Sequence, residues 1–478
     1  MKPLLVTLSF VALSLSFVAL SLSFAGAQER PEPGPGLRPF VSVNAPIVAL
    51  THVRLLDGTG APALENQTIV LSGARIQAVG PFGETRVPGD AEVLDFQGHT
   101  VIPGLISLHE HTWFGGIRSW TPMPAAGPLL LALGVTTAMT AGTQFPYDEL
   151  NLKKTIDEGL APGPRLHIAG PYLNGGGPRN SANRILSSPE EAERVIDYWA
   201  EEGATWVKFM GEGSRELLGA VVRAAHARGL RVAGHLCSIT FTEAAGLGVD
   251  ALQHGFITNS DYVPGKQPDV CPPDNMRVQA DVDVGGAEVQ RSIREIVDRG
   301  AAVVSTLGVY ETFSPERSRL DPRAMEMLAP ETRREVEANH AAMAESRFVV
   351  PERLIEKMME WERAFVAAGG LLGAGSDPWG TGFLPGFGNL RNYELLVEAG
   401  FTSEEAVEIM TLNGARILGE EARFGSVTVG KVADLVVIRG NPVATPSEIY
   451  EVVTVFKDGI GFDSARLRLA AKGRIGAS

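Results

Sequence analysis

Between Val101 and Ser376 the chain alternates two patterns. Short apolar runs rich in β-branched residues are followed by longer segments in which apolar positions recur at helical spacing. The β-type runs are Val101–Leu108, Val135–Thr140, Arg165–Ala169, Thr205–Met210, Arg231–Leu236, Val249–Gln253, Ala301–Thr306 and Leu371–Ser376. Segments between them, such as SPEEAERVIDYWAEEG, SRELLGAVVRAAHARG and VQRSIREIVDRG, open near Ser or Pro or close on Gly, as helices do. Eight strands with intervening helices predict an α/β fold, a (β/α)8 TIM-type barrel.

A different pattern flanks this region. IVALTHVRLLDGTG, QTIVLSGARIQAVGP and AEVLDFQGHTVIPG are short strand-like runs cut by Gly, Asp and Pro turns, and FGSVTVGKVADLVVIRGNP with EIYEVVTVFKDG repeats the pattern near the other end. The two ends together predict a small β-sandwich domain formed from residues 46–100 and 420–478, enclosing a barrel of residues 101–419. Residues 28–45 are Pro- and Gly-rich and read as a linker. Before them, a single Lys2, the apolar run Leu4–Phe24 and the small-residue stretch Ala25-Gly26-Ala27 read as a signal peptide of residues 1–27, cut after Ala27. The mature protein is then expected to be secreted or periplasmic. The apolar run is long because LSFVALS occurs in tandem, so an uncleaved membrane anchor is the alternative.

Composition narrows the function classes. Hydrophobic residues make up 44% and charged residues 21%, ordinary for a globular protein. The net charge of -14, without a basic run, argues against a nucleic-acid partner. Cys237 and Cys271 are the only cysteines; an oxidising compartment would let them pair, and two unreactive thiols are the alternative.

The chemistry begins at VIPGLISLHEHTW. Strand alternation sends His109 and His111 to one side and Glu110 to the other, so two imidazoles converge. A metal held rigidly needs further ligands from other strands. Candidates stand at later strand ends: Lys208 in WVKFMG, His235 in VAGHL, His254 in ALQHG and Asp377 in GAGSDPWG. All fall on the face where such barrels carry their chemistry. The remaining histidines read as structural or solvent-facing, with His167, two residues short of a strand end, able to reach substrate only if the register shifts.

With these residues the chain resembles the amidohydrolase superfamily, whose Pro-Gly-x-Ile-x-x-His-x-His signature is matched by the VIPGLISLHEHTW stretch and whose β-domain signatures are matched by VRLLDGTG, GKVADLVVI and VTVFKDG. The resemblance is to its binuclear carboxylated-lysine members, the prolidase-like or Xaa-dipeptidase branch. It implies two divalent metal ions, zinc by the donor types: His109, His111 and Asp377 on one, His235 and His254 on the other, and an N6-carboxylated Lys208 on both. It implies hydrolysis of an amide in a small-molecule or dipeptide substrate, with Asp377 as catalytic base and then acid, and it leaves a homo-oligomer open. A substrate ending in a carboxylate calls for a nearby cation, for which Arg179 or Arg184 is the candidate. Trp113, Tyr310 and Trp379 follow strand ends and are candidate apolar walls. The alternatives are a mononuclear deaminase or imidazolonepropionase-type cyclic amidase, which has no need of Lys208, a lactonase or esterase on the same ligands, and a non-enzymatic binding protein.

Overall fold

The computed structural model describes residues 32–115, 120–176, 183–346 and 348–476. The expected signal peptide of residues 1–27, the start of the expected linker and Arg179 lie outside them.

Eight parallel strands form the barrel in chain order: Leu105–Glu110, Val135–Thr140, Arg165–His167, Trp206–Phe209, Arg231–Gly234, Ala251–Gln253, Ala302–Ser305 and Leu372–Ala374. The first three form one ladder and the last five another. Backbone hydrogen bonds join the ladders at both seams. Thr205 N donates to Ile168 O (2.9 Å) between the third and fourth strands, and Ser376 N and Asp377 N donate to His109 O (3.1 and 2.8 Å) between the eighth and the first. The strands are buried on both faces, as parallel strands must be when helices cover them. Val232, Leu252 and Val303 pack outward into the main core with the helices, while Ala233, Ala251 and Ala302 belong to a second cluster inside the barrel. These small inward residues leave room for longer polar side chains one layer higher.

Local chemistry ends the helices where the periodicity predicts. Ser188, Ser214 and Thr240 accept hydrogen bonds from the backbone N–H three residues on, and Thr240 with Glu243 closes a reciprocal capping box. Gly248 terminates that last helix at φ 94°, a left-handed conformation that a side chain would strain.

The expected first strand, Val101–Leu108, is two strands. His99–Pro103 pairs antiparallel with Leu435–Arg439 in the β domain, and the barrel strand starts afresh at Leu105. Gly104 makes the break: no Cβ fits there against the Thr136 side chain. The barrel strand consequently runs on through His109 and Glu110.

Strands from both ends of the chain interleave in one nine-stranded sheet around a core of Val48, Leu50, Val53, Ile69, Leu71, Val101, Leu435, Val437 and Phe456. Val41–Val43, expected as linker, instead pairs antiparallel with Ile460–Asp463, which ties the start of the domain to its end. The last helix, Ser464–Ala471, packs on the barrel helix Ala126–Ala132, and Ser464 Oγ donates to Ala132 O at 2.6 Å.

Candidate metal centre

The C-terminal ends of strands one, four, five, six and eight bring six side chains to one buried point. Asp377 is the hub. Its Oδ1 lies 3.0 Å from His111 Nε2 and 3.5 Å from His109 Nε2, and its Oδ2 lies 3.6 Å from His254 Nδ1. The His254 ring centroid is 4.6 Å from that of His109 and 4.4 Å from that of His235. Ligand atoms of His109, His254 and Asp377 all fall within 4.8 Å of one another, close enough to hold one metal ion. His254 (φ 69°) and Asp377 (φ 50°) both adopt the left-handed conformation that non-glycine residues avoid. Neighbouring strands hold them there: His254 N donates to Val304 O (3.0 Å) and Asp377 N to His109 O.

Two fully buried nitrogens in this cluster have no hydrogen-bond partner among the described residues. They are His254 Nε2 and Lys208 Nζ, both buried. Burial lowers the Lys208 ammonium to about 7, so an unprotonated amine is accessible at neutral pH. Burial, followed by the nearby Lys208 charge, takes His235 to about 4 and holds His109 well below its ordinary value. Burial, then His235 and Lys208, does the same to His254. Neutral imidazoles, a carboxylate and unpaired buried nitrogens are the donor set a divalent ion requires, so the residues present fit a metal.

The supporting contacts orient these groups. His109 Nδ1 is 2.6 Å from the Gln253 Oε1 acceptor, which places the proton on Nδ1 and leaves Nε2 as the free lone pair, and His254 Nδ1 is 2.9 Å from Thr306 Oγ1, which orients that ring. Ser107 Oγ and Ser376 Oγ donate to Glu110 Oε1 at 2.6 and 2.8 Å. Glu110 therefore points away from its flanking histidines and ties the first strand to the residue before Asp377. Thr112 Oγ1 donates to Glu149 Oε1 at 3.2 Å, a second tie just after His111. Burial raises these carboxyls to about 7 and about 8 respectively.

Of the expected substrate-contacting residues, three reach the site. Trp113 lies 4.7 Å from His111 and Tyr310 5.5 Å from His254, ring to ring, and Trp379 meets Trp113 edge-on at 5.5 Å. Arg184 does not: it is exposed, and Nη2 donates to Glu191 Oε1 at 2.6 Å. His167 is also elsewhere, 3.4 Å from Glu420. Sequence reasoning missed Gln253, Thr306, Trp120 and Tyr172, whose hydroxyl lies 3.5 Å from His111 Nδ1. Adjacency to His254 in the LQHG motif was the available signal for Gln253. Cys237 and Cys271 form a disulfide with Cα atoms 4.9 Å apart, fastening the turn after His235 to the long loop that follows the sixth strand.

A (β/α)8 barrel carrying histidines, an aspartate and a buried lysine at its C-terminal mouth defines a metal-dependent hydrolase. The chain belongs to the amidohydrolase family, whose model matches residues 100–461. An imidazolonepropionase of Pseudomonas aeruginosa (strain UCBPP-PA14) is 25% identical over 417 residues, covering 80% of this chain and 90% of the relative. Among solved structures, one assigned as a prolidase from Bifidobacterium longum is 26% identical with a TM-score of 0.66 over 87% of this chain and 94% of that one. A Xaa-Pro dipeptidase with bound methionine, 20% identical, shares the fold with a TM-score of 0.64 over 87% of this chain and 100% of its own. The protein is an enzyme of this superfamily, a hydrolase acting on C–N bonds.

Proposed function

We propose that the protein is an exported, binuclear amidohydrolase that cleaves the amide of a dipeptide or N-acyl amino acid, with Lys208 carboxylated on Nζ. The observation that carries this reading is the Lys208 Nζ itself: buried, unpaired and lowered to about 7 among the metal-ligating side chains. A protonated ammonium has no lone pair for a metal, whereas a neutral amine adds CO₂ to give a carbamate with two donor oxygens. His109, His111 and Asp377 would then hold one divalent ion, His235 and His254 the second, and Lys208 both. Zinc suits the imidazole and carboxylate donors.

When bound, such ions polarise the scissile carbonyl and lower the pKa of water. The chain supplies the rest. Gln253 holds the His109 tautomer and Thr306 orients the His254 ring. Asp377 receives the proton of the attacking water on a carboxylate oxygen and delivers it to the leaving amine, within the range typical of general acid–base groups, roughly 10²–10⁴-fold in rate. The Cys237–Cys271 disulfide suits an oxidising compartment, which supports export.

A second reading is favoured by the imidazolonepropionase likeness over 80% of the chain: a cyclic amidase with one metal and no carboxylated lysine. Elemental analysis of the purified protein separates the two. Wild type prepared with bicarbonate should hold two ions per chain and Lys208→Ala one or none. A single ion unaffected by Lys208→Ala would reject the binuclear assignment and favour the cyclic amide.

A further inference from the structure

Three tryptophans border the metal centre. Trp113, two residues after His111, stacks on Trp120 with ring centroids 4.7 Å apart and planes inclined by 15°. Trp379, two residues after Asp377, meets both edge-on at 5.5 and 5.4 Å. The short hairpin pairing Trp113–Gly115 with Trp120–Pro122 sets the stack, and Gly115 lies so near the Trp113 ring that a Cβ there would sit 2.8 Å from Cζ3. The aromatic group begins where the ligands end, since Trp113 is already in ring contact with His111.

Two observations set this cluster apart from ordinary core packing. Trp120 and Trp379 remain 38% and 37% exposed, a large apolar surface for a soluble domain to leave open beside its reaction centre. Trp113 is the reverse: it is 1% exposed, yet its indole N–H has no hydrogen-bond partner. Buried indole donors almost always find an acceptor. An unpaired one next to a metal ligand awaits an acceptor that arrives with a ligand.

Resting on the amidohydrolase reading above, we infer that these three residues form a substrate subsite selecting amides with a planar aromatic group on one side of the scissile bond. Trp120 and Trp379 supply the apolar surface against which that group packs. Trp113 donates its indole N–H to a substrate oxygen. The cleaved bond and the water added across it are those of the amide hydrolysis already proposed, so the subsite contributes recognition only.

The test uses the metal-loaded protein and two matched pairs, N-benzoylglycine against N-acetylglycine and glycylphenylalanine against glycylalanine. The aromatic member of at least one pair should show kcat/KM higher on the order of tenfold, the scale of discrimination an apolar pocket provides. Trp120→Ala and Trp379→Ala should bring that ratio toward one, while Leu469→Ala, an exposed control on the last helix, leaves it in place. Trp113→Phe keeps a ring but removes the N–H, and should raise KM for both members of the preferred pair. Ratios near one in both pairs, or a ratio indifferent to Trp120→Ala, would overturn the subsite while leaving the amidohydrolase reading intact. Hydrolysis of none of the four would instead count against the dipeptide and N-acyl amino acid reading. Calorimetric titration then decides the subsite alone: N-benzoylglycine binding more tightly than N-acetylglycine, and weakened by Trp120→Ala, upholds it, and equal or absent binding of the two rejects it.

Discussion

Two of the buried polar clusters among the described residues treat their polar atoms in opposite ways. At the start of the third barrel strand, against the β domain, the Arg165 guanidinium donates to Asp434 Oδ2 (3.1 Å), Asp458 Oδ1 (2.7 Å) and Thr137 Oγ1 (2.9 Å) and lies 5.0 Å from the Phe424 ring centroid. Asp434 Oδ1 in turn accepts from the Asp458 N–H at 2.8 Å. At the other cluster Lys208 Nζ, His254 Nε2 and Trp113 Nε1 are buried with no partner at all. Burying a polar group without a partner costs roughly 1–3 kcal/mol, so several such groups gathered at one point mark a place where something else meets them. The Arg165 cluster is complete within the chain and joins two domains. The Lys208 cluster is incomplete within the chain, and that incompleteness marks it as the place where metal and substrate belong.

The contrast breaks most visibly if the clusters are exchanged in experiment. Asp377→Asn removes the proposed metal ligand and proton carrier together, and kcat/KM should fall on the order of 10³-fold or more while thermal stability holds, because the site is under-satisfied before the change. Arg165→Met strands Asp434, whose side chain is 3% exposed, without its cation; chemical denaturation should report a loss of about 3–5 kcal/mol with kcat/KM of the folded enzyme changed only a few-fold. A stable Arg165→Met protein, or an unfolded Asp377→Asn one, would mean that partner counts do not separate structural from functional burial here.

The same distinction explains what could be read from the sequence. Strands and helices announced themselves through period, and His109, His111, Lys208, His235, His254 and Asp377 through position at strand ends, because both signals are local. Their partners are not local. Gln253 reaches His109 and Glu110 reaches Ser376 only because the eighth strand closes against the first. Trp120 enters through a hairpin that no alternating run predicts, and Val41–Val43 is a strand only because Ile460–Asp463 lies beside it. Arg184 failed for a related reason: charge made it a candidate, but Glu191 already engages it. A cation's availability depends on its neighbours, and composition does not name them.

The disulfide sharpens the comparison at the catalytic end. Cys237 and Cys271 are separated by 34 residues, and Ser260 Oγ donates to Cys237 O (2.6 Å) while Lys266 Nζ donates to Ser238 O (2.7 Å), so the loop after the sixth strand is held at several points near His235. Loop-closure entropy for such a span corresponds to about 3–4 kcal/mol. The Cys237→Ala/Cys271→Ala protein should lose about 3 kcal/mol or somewhat less by denaturant titration, with the polar ties keeping the loop near its place. Unchanged stability would assign the loop's anchoring to those ties alone.

Glu362 gives the smallest effect and adds a third way of burying a polar group. It lies on the helix Glu352–Ala367 at 0% exposure, no charged group among the described residues pairs with it, the Ser305 side chain offsets only part of the burial, and a Cβ on Gly255, next to His254, would lie 3.4 Å from its Oε1. Burial raises this carboxyl to about 8. It therefore stays protonated and neutral at pH 7, avoiding the charge rather than pairing it. The folded state keeps a proton that the unfolded chain releases near pH 4.5, so the resulting stabilisation is present below that pH and is lost as pH rises toward about 8. In metal-free protein, Glu362→Gln should flatten the decline of stability between pH 5 and 8 by up to about 1.4 kcal/mol per pH unit, measured by denaturant titration across that window. An unchanged slope would mean that Glu362 ionises in the folded protein and has a partner after all. A flattened slope with kcat/KM retained would show that an unpaired buried group can be neutral ballast, and that unpaired atoms mark function only where, as at Lys208, His254 and Trp113, they share one site.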